Sequence, residues 1–127
     1  MKIWQGFGSE HSAKLRLVGT FKTVADAQRV NEDVNSLQAM VLKHENEILS
    51  QPDKYPEEIL HALSRQIRGG ASIHPKDLED FLMFEGFEQN GNQLIMETDD
   101  EGWAGLIKLF VNNEAKVEVF SRHFYPA

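Results

Sequence analysis

The sequence predicts an α+β fold. This is a two-layer sandwich in which a mixed β-sheet carries helices on one face, in the order β-β-α-α-α-β-β-α-β, with a ferredoxin-like arrangement among the options. Three observations predict it. Residues 14–21, KLRLVGTF, alternate with period two, setting Leu15, Leu17 and Phe21 against Lys14, Arg16 and Thr20. Residues 24–49 repeat at three and four instead, with Val24, Ala27, Val30, Val34, Leu37 and Val41 in one stripe. Asn90-Gly91 lies between two apolar-bearing segments, the strongest short hairpin signal in the chain.

Taken in order, residues 2–7 read as a first strand, joined to 14–21 as a hairpin through the polar stretch Gly8 to Ala13. Thr23 reads as an N-cap, with Asp26 three residues on, and opens one long helix over 24–49. Gln28, Arg29, Glu32, Asp33 and Asn35 form its solvated side, and Gln51-Pro52-Asp53 ends it. A second helix starts with Pro56 at its first position, turns Ile59, Leu60, Leu63 and Ile67 inward, and stops at Gly69-Gly70. A third runs from His74-Pro75 through Leu78, Phe81 and Leu82 to Gly86. After the Asn90-Gly91 hairpin, Asp99 or Asp100 caps a fourth helix that buries Trp103, Leu106, Ile107, Phe110 and Val111. KVEVFSRHF closes the chain as a central or near-central strand. The last strand–helix–strand unit crosses over right-handed to give parallel neighbours. One domain spans 1–127, with residues 44–76 as a helical sub-lobe within it.

Composition narrows function by exclusion. With 20 acids against 13 bases, the net charge of −7 argues against direct nucleic-acid binding, which needs a Lys/Arg surface, and against docking on anionic lipid. There are no cysteines, which removes disulfides, thiolate metal sites and thiol nucleophiles. The opening MKIWQGFGSEHS holds no signal-peptide run, and no stretch approaches the roughly 20 apolar residues of a membrane span. A cytoplasmic location is the expectation.

Two polar sets could carry chemistry. Ser9, Glu10, His11 and Ser12 are consecutive, so their side chains cannot all converge, and a site there needs partners from elsewhere. Ser121, Arg122 and His123 supply a second set at the end of the last strand. If the last strand lies beside the first hairpin, Glu10, His11 and His123 are the catalytic candidates, as an acid/base pair or a metal triad. Ser9, Ser12, Ser121 and Arg122 are the candidates for holding a ligand or anion. The histidine spacing matches no metal motif such as HExxH, so neither metal nor cofactor is expected.

Charge makes the third feature. Nine acids and no base lie between Lys76 and Lys108, and Glu97, Asp99, Asp100 and Glu101 are its candidate interaction face. Acids at helix starts favour the helix dipole, so much of this run reads as a solvated surface. His74 reads as a capping or turn residue, and His61 and His44 as surface or core-edge positions.

The segments MKIWQGFGSEHS, TDDEGWAGLIKLF and KVEVFSRHFYP together resemble a family of small bacterial proteins of unknown function. The resemblance implies a domain of unknown function and supplies no substrate or catalytic residue. The leading expectation is a non-enzymatic protein-interaction or regulatory module, with a homodimer as an option. The alternatives are a small enzyme or ligand binder built from Glu10/His11 and Arg122/His123, and an acidic mimic of nucleic acid.

Overall fold

Leu15 and Leu17 are buried while Arg16 and Thr20 are not, so the period-two pattern becomes a strand with one face on the core, β1 (Leu15–Thr20). The structure, a computed structural model, describes residues 15–98 and 103–121. The expected strand over 2–7 lies outside the described residues. After β1 come α1 (Val24–Lys43), α2 (Glu45–Ser50) and α3 (Glu57–Arg65), then a 3₁₀ segment (Pro75–Leu82). β2 (Glu88–Asn90), β3 (Gln93–Thr98), α4 (Ala104–Asn112) and β4 (Lys116–Ser121) complete it.

The four strands are ordered β2-β3-β1-β4. Among the described residues every hydrogen-bonded strand pair is antiparallel, where a mixed sheet was expected. β3 and β4 do run in the same direction around α4, but β1 lies between them, so they are not neighbours. β1 and β2 are likewise separated by β3. Two interleaved β-α-β units in this strand order make the described residues ferredoxin-like.

Both edges of β1 are taken over Leu15–Thr20, one by β3 and the other by β4. β4 does lie beside β1, as expected, but it is the outermost strand on its side of the described sheet rather than a central one.

The helices follow their apolar faces with local changes. Thr23 caps α1, its Oγ1 accepting the Asp26 N–H at 3.0 Å. Ala27, Val30, Val34, Leu37 and Val41 are buried, whereas Val24 is exposed. The expected single helix divides at His44, whose N–H is shared between the Met40 and Val41 carbonyls. The stripe carries over the break, because Ile48 lies seven residues beyond Val41 and is buried. In α3, Pro56 is the cap rather than the first helical residue, and Leu60 faces out while Ala62 faces in. The third helix is 3₁₀ and ends at Leu82 rather than at Gly86. In α4 the buried side is Gly105, Leu106, Leu109 and Phe110, so Val111 is exposed instead of buried.

Phe110 fixes how α4 sits on the sheet. Its ring meets Phe21 edge-on at 5.4 Å and Phe87 at 5.4 Å. The ring lies directly over Gly19, where a Cβ would come within 2.5 Å of it. Ile48, Ile59, Leu63 and Ile73 share the same core as Leu17 and Leu94 of the sheet.

Candidate functional site

The strand registers bring together the described residues that adjoin the sequence's polar segments. Leu15 is the Cα partner of both Thr98 on β3 and Ser121 on β4. Thr98, Leu15 and Ser121 therefore lie side by side at one end of the sheet, neighbours being about one strand spacing, ~4.8 Å, apart. Ser9, Glu10, His11, Ser12, Asp99, Asp100, Glu101, Arg122 and His123 lie outside the described residues. Their anchors are nevertheless set. His11 is four residues from Leu15 and His123 two from Ser121, reaches of about 14 Å and 7 Å for extended chain.

The next rung inward adds a residue that sequence reasoning did not select. Arg16 is the Cα partner of Glu97 on one side and Phe120 on the other. Its Nε is buried and has no hydrogen-bond partner among the described residues. One rung further, Val18 lies between Ile95 and Glu118, and Val18 and Ile95 are both buried although they face away from the helix-packed core. The face of the sheet opposite the helices is thus apolar at its centre and carries a guanidinium one rung from the Thr98–Leu15–Ser121 end.

Among the described acids of the run between Lys76 and Lys108, Asp77 and Asp80 turn inward. Asp77 is buried, and its Oδ2 accepts from Lys108 Nζ at 2.6 Å and from the His74 N–H at 2.9 Å. His74 thus begins the 3₁₀ segment as a cap position. Asp80 accepts the Gly105 N–H at 3.2 Å, and burial raises its carboxyl above the ordinary carboxylate value. That bond corrects the expected cap of α4. Trp103 occupies the cap position without a side-chain bond, and Asp80 supplies an acceptor from the 3₁₀ segment instead. Glu79 and Glu88 remain exposed.

The remaining histidines lie elsewhere. His61 lines an open groove of about 550 Å³ between α1 and α3 with Met40, Glu57, Glu58, Ala62 and Gln66. Glu58 is already engaged: Lys43 donates to it at 2.9 Å and holds its carboxyl below the ordinary range. His44 stands 3.6 Å from the same carboxylate and 3.8 Å from Glu47. His74 borders a smaller hollow of about 210 Å³ with Pro52, Asp53, Pro75 and Lys76. Among the described residues no three His, Asp or Glu side chains converge to hold a metal ion. No helix among them is long and apolar enough to cross a membrane.

A family model described as a family of unknown function, DUF6375, matches residues 1–127, the whole chain. The chain belongs to that family. The resemblance read from its two ends and TDDEG is thereby a family membership, and it leaves the function of the DUF6375 chain open. No curated protein matches it, and no solved structure does.

Arg16 and the inward acids were missed for different reasons. Arg16 was readable as the polar side of β1, but only the two registers show which groups flank it. Asp77 and Asp80 look like any acids near a helix start, and nothing local marks Lys108 and Gly105 as their distant partners.

Proposed function

We propose that this DUF6375 protein is a non-enzymatic interaction module whose partner docks at the end of the sheet that carries Leu15, Thr98 and Ser121. One observation carries the reading: Leu15 pairs with both Thr98 and Ser121. These three residues adjoin, in sequence, three polar segments that are far apart along the chain. The unpartnered Nε of Arg16 one rung inward adds a donor to the same end. Asp99, Asp100 and Glu101 contribute the acidic part, so the partner presents basic groups there.

Affinity capture with the full chain and with D99N/D100N/E101Q, at low and high salt, tests this reading. Capture that weakens with salt and falls in the variant, with unchanged circular dichroism, supports it. Capture indifferent to both removes it.

The same register favours a second reading, a small enzyme or ligand binder at that end. Glu10 or His11 would serve as general base, His123 as acid, and Arg122 as a bidentate clamp for an anion. Inorganic phosphate is the simplest probe. Imidazole resonances of His11 and His123 that shift together on phosphate addition, and fail to do so in R122A, support a site. Resonances that ignore phosphate argue against it.

A further inference from the structure

β4 pairs with β1 along one edge, and no strand among the described residues takes the other. Such an edge presents a row of backbone donors and acceptors able to template another strand. The side chains of β4 alternate. Val117 and Val119 pack against the core, so Lys116, Glu118 and Phe120 stand on the opposite face. Across β1, Lys116 faces Thr20 and Glu118 faces Val18, so neither charge meets a counter-charge there. Among the described residues neither forms an ion pair. Phe120 is 48% exposed on the same face.

We propose that β4 pairs antiparallel with β4 of a second copy of this chain, about a twofold axis at Val117. This inference goes beyond the docking reading above and does not depend on it. Antiparallel pairing centred on Val117 sets Val117 against its own copy and Lys116 of each chain against Glu118 of the other. The Lys-Val-Glu order is therefore complementary to itself under a twofold axis, as an isologous interface requires. Opposed residues share a face, so both valines stay on the core side and both ion pairs on the other.

The neighbouring registers are worse. Centring on Glu118 opposes two like charges and leaves Lys116 against Phe120. A one-residue slip puts the core face of one sheet beside the outer face of the other. The favoured register joins the two four-stranded sheets into one, with all helices on the same side.

Sedimentation velocity on the full chain, over a wide concentration range, tests the proposal. The wild-type chain is expected to dimerise. K116E and E118K each place like charges opposite one another twice per dimer, and each should weaken association by about tenfold. K116E/E118K restores opposition of unlike charges and should restore the dimer. A wild-type chain monomeric throughout overturns the proposal, as does a dimer unmoved by either single reversal or one the double reversal fails to recover. Circular dichroism on each variant separates lost pairing from lost folding.

Discussion

Lys108 on α4 donates to the buried carboxylate of Asp77 at 2.6 Å, joining α4 to the 3₁₀ segment across 31 residues of sequence. Buried ion pairs are costly to form and costlier to break on one side only. Lys108→Met leaves the Asp77 carboxylate buried with only the His74 N–H as partner. The expected loss is about 2–3 kcal/mol, somewhat under the fully buried case because the lysine is partly exposed. Urea denaturation at pH 7 measures it, and an unchanged midpoint would show that the pair contributes nothing.

Asp80 gives a pH dependence with a definite sign. Burial raises its folded-state pKa above the ordinary 3.8, so the folded protein holds this proton more tightly than the unfolded chain does. Its contribution to stability is fully present below 3.8 and is lost as pH rises through the raised folded value. Asp80→Asn removes the titration while its amide oxygen still accepts the Gly105 N–H. The variant should therefore gain on the wild type as pH rises from below 3.8 toward neutrality. Stability curves of the two proteins that stay parallel across that range would contradict the account.

Gly19 has no room for a side chain. A Cβ there meets the Phe110 ring at 2.5 Å, and that ring is held between Phe21 and Phe87. Gly19→Ala should cost about 1–3 kcal/mol, as overpacking does. Thermal unfolding gives the value, and a Tm equal to that of the wild type would mean that α4 shifts freely on the sheet.

Asn113 is a buried junction. Its Nδ2 donates to the Leu109 carbonyl at 2.7 Å and to the Arg68 carbonyl at 3.0 Å, and its Oδ1 accepts from Arg29 at 3.3 Å. Asn113→Asp removes both donors and turns a negative charge toward two carbonyls, with an expected loss of about 3 kcal/mol. Asn113→Ala should lose less, about 2 kcal/mol. Equal loss for the two variants, in the same unfolding experiment, would show that the added charge is not felt.

The periodic elements were legible because their signal is local. The stripe from Ala27 to Val41, the Thr23 cap and the Asn90-Gly91 hairpin all stand where the sequence put them. Strand order was not legible to the same degree. Nothing in residues 15–20 says that both their edges are filled, or that both described neighbours run antiparallel. The break at His44 was also hidden, since no Pro or Gly marks it and the apolar stripe continues across it. Asn113 carried no sequence signal, because its partners lie 45 and 84 residues away. For the site, the sequence named the polar groups at the two chain ends, and the register of Leu15 with Ser121 supplied the reason to consider them together.

The proposed site requires the two chain ends to share the end of the sheet where Leu15 faces Ser121. The absence of native cysteines makes a direct test simple, because H11C/H123C can carry a pair of nitroxide labels without further changes. The account predicts strong dipolar broadening, with the two positions within about 12 Å, near enough for side chains to share a ligand through hydrogen bonds of about 3 Å. Unbroadened spectra, equal to the sum of the two singly labelled proteins, would place the ends apart and contradict it.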